Sequence, residues 1–221
     1  MTKKILITGA NGQLGHEMRN ALKGNNRFEC IFTDVAELDI CNAEAVKQTI
    51  ADNHIDYIVN CAAYTQVDKA EDNAELCRKI NTDAVENLAR AAATYGARMS
   101  HLSPDYVFNG RGYRPYTEAM TPDPQSVYGS TKLEGEKILT DICPESIIIR
   151  TAWLYSPYGN NFVKTMLHLG KEREELSVVS DQIGTPTCAA DLAQAILVIL
   201  QADTFVPGTY HFSDEGACSW Y

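Results

Sequence analysis

The sequence predicts an α/β domain built on a doubly wound parallel sheet. Three observations carry that expectation. Short runs rich in β-branched residues alternate with helix-length periodic stretches as far as Trp153. The first of these runs breaks directly into a glycine-rich turn that opens a helical pattern. The length, 221 residues with 45% hydrophobic content, suits one large α/β domain with a real core, alone or with part of a second.

In chain order, "KKILIT" reads as the first strand and residues 13–23 as a helix. "FECIFTD" is the second strand, followed by a helix over 42–52. "DYIVNCA" is the third strand, and one long helix is expected over about 73–95. "RMSHLS" is the fourth strand, 126–141 a helix, and "SIIIRTAW" the fifth strand. Right-handed crossovers between such parallel strands put helices on both faces. Beyond Trp153 the rhythm changes. "LYSPYGNN" reads as a loop, 161–173 as a helix, and "LSVVSDQIGTPT" as a strand and loop. Residues 189–201 form an apolar helix and "GTYHFSD" a short strand. The division expected is a dinucleotide-binding domain over 1–152. Residues 153–221 then supply segments of a small substrate lobe, interleaved with the last elements of the sheet. Ser219-Trp220-Tyr221 reads as the entry to a helix that does not follow, so the lobe is expected to be incomplete and the C-terminus truncated.

Composition narrows the function. The formal net charge of −10 argues against nucleic acid as a partner, because a phosphate backbone calls for a basic surface. No stretch approaches 18 apolar residues, which excludes a spanning helix, and the apolar run after Lys4 is too short for a signal peptide. The seven cysteines are scattered and odd in number, without a CxxC pair, so reduced thiols in a cytoplasmic protein are expected rather than disulfides or zinc. No metal ligand set is called for; a divalent cation stays open but is not indicated.

"TGANGQLG" places Gly9, Gly12 and Gly15 between the first strand and first helix. The first glycine permits the tight turn, the second lets backbone approach a pyrophosphate, and the third lets helix pack on strand. Free N–H groups at the helix start then face the anion. This is the Rossmann-type arrangement for NADH or NADPH. Asp34 closes the second strand, where a carboxylate accepts from an adenosine ribose and repels a 2′-phosphate; Asp39 and Ile40 are placed to border the adenine. "SVYGSTK" sets Tyr128 and Lys132 four apart, on one face of a helix. An ammonium beside a phenol favours phenolate and eases proton transfer in both directions.

Together these residues resemble the extended short-chain dehydrogenase/reductase superfamily. Within it, "NCAAYTQVDKAE", "SPDYVFNG", "VYGSTKLEGEK", "RTAWLYSPYGNNF" and "DQIGTPT" are similar, in order and over essentially the whole chain, to the dTDP-4-dehydrorhamnose reductase family. The resemblance implies reduction of a dTDP-4-keto sugar by NADH or NADPH, in a monomer or homodimer. It implies Tyr128 as proton donor and Lys132 as ligand of the nicotinamide ribose. It places Gly9, Asn11, Gly12, Gln13 and Leu14 around the pyrophosphate, and Ala62, Ala63 and Thr65 along the cofactor. Val67, Asp68, Asp105, Trp153, Asn161, Gln182 and Thr187 are implied on the substrate side. One departure stands out. Where the family has a threonine completing a Thr/Tyr/Lys triad, this chain has Pro104, which has no hydroxyl to donate. The neighbouring Ser103 is expected to face the other side of the strand. A reductase with a weakened triad is therefore expected. Two alternatives stay open: a non-catalytic dinucleotide-binding subunit, as in the regulatory beta subunit of methionine adenosyltransferase, and another sugar-nucleotide epimerase or dehydratase.

Overall fold

The computed structural model describes residues 2–221. Strands β1 (Lys3–Thr8), β2 (Phe28–Thr33), β3 (Tyr57–Asn60), β4 (Arg98–Pro104) and β5 (Ile147–Thr151) form the sheet, with β9 (Gly208–His211) at one edge. Their order is β2-β1-β3-β4-β5-β9, and every pair is parallel. The chain leaves β1 in one direction for β2 and then crosses to β3 on the other side. The crevice beyond the C-terminal ends of β1 and β3 is where such a sheet receives a ligand.

Alternation along the strands decides which helix covers which face. Leu6, Ile58, Met99 and Ile148 point to one side, where α2 (Ala43–Asn53), α5 (Ala84–Tyr95) and α6 (Val127–Ile142) lay down Val46, Ile50, Leu88 and Leu139. Ile5, Ile7, Val59, Ile147 and Ile149 point to the other, against Leu14 and Met18 of α1 (Gln13–Ala21) and Leu192, Ile196 and Leu200 of α8 (Ala189–Gln201). Both faces are therefore dry, which is why the strands read as nearly continuous apolar runs. Helix α8 and strand β9 return to the main sheet, while the segments between β5 and α8 lie outside it.

Two expectations change. The helix expected over 73–95 is three pieces: α4 (Ala74–Arg78), a π-helical turn (Lys79–Asp83) and α5, preceded by a short α3 (Val67–Asp72). Asn81 explains the widened turn. Its side chain accepts from the Tyr64 N–H (2.9 Å) and donates to the Tyr64 carbonyl (3.1 Å), tying the loop after β3 to the helix. Beside it α6 packs at Gly135, where a Cβ would lie 2.3 Å from the Asn81 carbonyl oxygen. Second, "LSVVSDQIGTPT" is not a strand over most of its length. Only β7 (Ile183–Gly184) and β8 (Thr187–Cys188) form, pairing with β10 (Cys218–Ser219) and with β6 (Leu154–Tyr155). Its Val178 and Val179 do not enter the sheet, so β propensity there has no partner to satisfy. The helix α7 (Phe162–Glu172) buries none of its residues fully and meets this region through Phe162, whose ring lies 4.4 Å from that of Trp220.

Candidate active site

A cleft of about 1160 Å³ opens at the C-terminal ends of the strands. At one end lies the glycine turn. Gly9 has φ +64°, and a Cβ on it would sit 2.7 Å from the Ala62 nitrogen. A Cβ on Gly15 would meet the Gly9 carbonyl oxygen at 2.4 Å, so helix α1 closes onto the turn only with glycine there. Gly12 caps α1 without a side chain, leaving the first-turn N–H groups open towards the cleft. Asp34 stands at the rim. One carboxylate oxygen accepts from the Asn11 N–H (3.0 Å) and the other from the Val35 N–H (2.8 Å), so its direction is set by backbone. Gln13, Leu14, Asp39, Ile40, Ala62, Ala63 and Thr65 line the same wall. A backbone cradle that no Cβ could share, an open helix start and an oriented carboxylate fit a dinucleotide.

At the other end, α6 carries Tyr128 and Lys132 into the cleft floor. Tyr128 is buried among Ala70, Cys77, Tyr64 and Val67, and Tyr106 meets its ring edge-on at 5.5 Å. Burial pushes its phenol well above the ordinary value, and the nearby carboxyl of Asp105 adds to the rise. Lys132 is not among the groups acting on this phenol, and burial together with Asp105 favours its protonated form. Lys132 turns its amine to the Leu102 carbonyl (2.7 Å) and to His101 Nε2 (3.2 Å). Desolvation brings its pKa down to about 8 against the support of Glu136. Asp105, also in the lining, is pushed up to about 6 by burial, opposed by its own and the Tyr106 N–H groups. Cys61 at the cleft wall is raised to about 12 by burial and is no nucleophile.

Pro104 ends β4 opposite Thr151, in extended backbone (φ −92°, ψ 167°), and borders the cleft with Ser103 and Tyr128. The Ser103 hydroxyl is buried and has no hydrogen-bond partner among the described residues. On the substrate side, Val67, Trp153 and Asn161 reach the cleft. Asn161 is already committed: its amide donates to Gln13 Oε1 and to the Ser156 carbonyl, and its oxygen caps α7. Trp153 holds a left-handed backbone (φ 49°), stacks on Trp220 at 3.6 Å, and lies against Gly184.

Four expected residues do not line the cleft. Asn11 points outward and contributes its N–H to Asp34 instead. Asp68, on the first turn of α3, is exposed, because the helical turn rotates it away from the wall that Val67 joins. Thr187 is fully buried and accepts from the Thr151 hydroxyl (3.2 Å), since β8 pairs with β6 beneath the surface. Gln182 is exposed and accepts from the Trp220 indole.

The site also depends on residues that the sequence reading passed over. Glu136, one turn beyond Lys132, takes a bidentate contact from Arg150 of β5: Nε to Oε1 at 3.0 Å and a terminal guanidinium nitrogen to Oε2 at 2.6 Å, both side chains buried. A lone arginine inside "SIIIRTAW" was the available signal, since a buried guanidinium calls for a carboxylate. His101 and Asn60 had no comparable signal.

The family described as the RmlD substrate binding domain matches residues 3–221. Among curated proteins, the dTDP-4-dehydrorhamnose reductase of Escherichia coli strain K12 is 46% identical over 98% of this chain and 74% of its own length. That of Aggregatibacter actinomycetemcomitans is 43% identical over 99% and 76%. Among solved structures, a dTDP-4-dehydrorhamnose reductase from Clostridium acetobutylicum superposes with a TM-score of 0.95 at 50% identity, over 99% of this chain and 76% of that one. One from Bacillus anthracis, in complex with NADP, gives 0.95 at 44%, over 100% and 77%. A UDP-glucose 4-epimerase from Thermus thermophilus, 17% identical with a TM-score of 0.84, shares the fold alone.

Proposed function

The chain belongs to the RmlD substrate binding domain family, that of the dTDP-4-dehydrorhamnose reductases, and we propose on that footing that it reduces the C4 keto group of dTDP-4-dehydro-6-deoxy-L-mannose to give dTDP-L-rhamnose. NADH or NADPH supplies the hydride when bound. The observation that carries the reading is the opposition, across one cleft, of the glycine cradle and the Tyr128/Lys132 pair. The glycine turn and the start of α1 hold the pyrophosphate, and Asp34 takes the adenosine ribose. Lys132 directs its amine to the nicotinamide ribose. Tyr128, kept protonated by burial and by Asp105, gives its proton to the carbonyl oxygen as negative charge grows there. Val67, Asp105 and Trp153 face the sugar nucleotide.

Pro104 supplies no hydroxyl to that oxygen, so the turnover proposed is that of a reductase short of one donor. Such a loss is worth about 10²–10³ in rate and leaves a working enzyme. The position of Tyr128 and Lys132 favours catalysis over a purely binding role, because a scaffold has no use for a phenol and a desolvated amine aimed at one cleft. A cytoplasmic location belongs to the same proposal and rests on seven unpaired thiols. No described helix is long and apolar enough to cross a membrane.

The test is oxidation of NADPH and of NADH on adding the dTDP-4-keto sugar, with Tyr128→Phe beside the wild type. The variant is expected to lose reduction while binding nucleotide as before. Equal turnover by the two proteins would assign the proton to another group.

A further inference from the structure

Behind Lys132 runs a row of buried polar side chains that neither the fold nor the triad accounts for. Thr8 at the end of β1, Asn60 at the end of β3 and His101 of β4 are successive register partners across the sheet. Each is 1% exposed or less. The Thr8 hydroxyl donates to Asn60 Oδ1 (2.7 Å), and Asn60 Nδ2 meets His101 Nδ1 (3.0 Å). His101 Nε2 then faces the Lys132 amine at 3.2 Å.

The direction of this row is set by backbone. The Ala62 N–H also points at Asn60 Oδ1 (3.2 Å), so the oxygen of that amide must lie there and its NH₂ must face the ring. Asn60 therefore donates, and His101 Nδ1 accepts. A neutral imidazole with an accepting Nδ1 carries its proton on Nε2, and that N–H is aimed at Lys132 Nζ. A neutral amine accepts such a contact. An ammonium meets the positive end of the same dipole.

We propose that Thr8, Asn60 and His101 are positioning residues for Lys132: they fix the Nε2–H tautomer of His101, which opposes the ammonium form of Lys132 and so sets the pH above which proton delivery through the Lys132/Tyr128 pair fails. The proposal rests on the reductase reading for its kinetic arm only. The charged and titratable groups around the pair are few. Helix α6 brings Tyr128 and Glu136, the latter held by Arg150 of β5. Helix α4 brings Cys77, the segment after β3 brings Cys61, and Asp105 and Tyr106 follow β4. Of these, Glu136 and Cys77 favour the ammonium, whereas burial disfavours it and the His101 dipole acts in the same sense as burial.

The first test needs no turnover. In ¹⁵N-labelled full chain, the ring nitrogens of His101, assigned by their loss in His101→Gln, are expected to be pyridine-type at Nδ1 and pyrrole-type at Nε2 from roughly pH 6 to 8. A proton on Nδ1, or an imidazolium, overturns the proposal. The second test reverses the donor. Asn60→Asp keeps the contacts to Thr8 and Ala62 and, once ionised, can only accept, so His101 must carry a proton on Nδ1, which frees Nε2 to turn a lone pair to Lys132. The alkaline limb of kcat is then expected to move up by about one pH unit. An unmoved limb, in a variant with unchanged melting point and nucleotide affinity, overturns it. Should Asn60→Asp fail to fold, the nitrogen shifts of the wild type decide alone. Absence of turnover by the wild type with either nucleotide would refute the reductase reading and leave the nitrogen measurement to judge this one.

Discussion

Glu136→Gln isolates the buried ion pair beneath the Tyr128/Lys132 helix. Glu136 is 4% and Arg150 8% exposed, and their two hydrogen bonds join α6 to the sheet. Glutamine preserves the volume but offers one acceptor where the carboxylate offered two, and its NH₂ confronts a guanidinium N–H. One guanidinium nitrogen of Arg150 already lacks a hydrogen-bond partner among the described residues. Removing one member of such a pair typically destabilises by about 3–5 kcal/mol. At about 2–4 °C per kcal/mol for a chain of this size, the melting point falls by roughly 6–20 °C. Thermal and urea unfolding followed by circular dichroism at neutral pH measure this directly. The double change Glu136→Gln with Arg150→Met removes the orphaned charge and is expected to recover most of the loss. The same substitution withdraws a carboxylate that supports the Lys132 ammonium, so the alkaline limb of kcat should move to lower pH than in the wild type. A single-variant loss under about 1 kcal/mol, the level of a solvent-exposed pair, would refute the reasoning.

Pro104→Thr offers a hydroxyl at the cleft that Tyr128 lines, in backbone that threonine adopts without strain, and is expected to raise kcat/KM by roughly a hundredfold, the lower end of what one such donor is worth, at unchanged nucleotide affinity. Steady-state kinetics showing no gain would assign the carbonyl oxygen to another donor. Gly15→Ala forces a Cβ to 2.4 Å from the Gly9 carbonyl oxygen, and titration calorimetry should find nucleotide binding lost or weakened at least tenfold. His101 sets an acid limit on stability. Burial holds its folded pKa well below 6.5, so below that value the unfolded chain takes up a proton that the folded chain refuses, and stability falls with pH. The melting point should therefore drop as the pH is lowered from about 6.5 towards 5, less steeply in His101→Gln.

Much of the fold was legible because its signals are local. Alternating apolar runs and helical periods mark a sheet buried on both faces, and a glycine triplet at a strand–helix turn has few other uses. The spacing of Tyr128 and Lys132 needs only the helical repeat to put them on one face. The π-helical turn at Lys79–Asp83 was not legible, since it answers to Tyr64 and Gly135, far away in sequence. The same holds for "LSVVSDQIGTPT", whose residues favour strand but find almost no partner, and for Thr187 and Gln182, which lie off the cleft because short strand pairs, not periodicity, decide their direction.

The sequence by itself determined the class of sheet, the glycine turn after its first strand, the spacing that puts Tyr128 and Lys132 on one helix face, and the proline at the end of β4. Only the tertiary structure decided the electrostatics. Burial and Asp105 raise the Tyr128 phenol, burial brings the Lys132 amine down to about 8, and Arg150 is tolerated in a core strand because α6 brings Glu136 to it. Protonation in a buried site depends on which groups share the space, and strands and helices distant in sequence fill that space together.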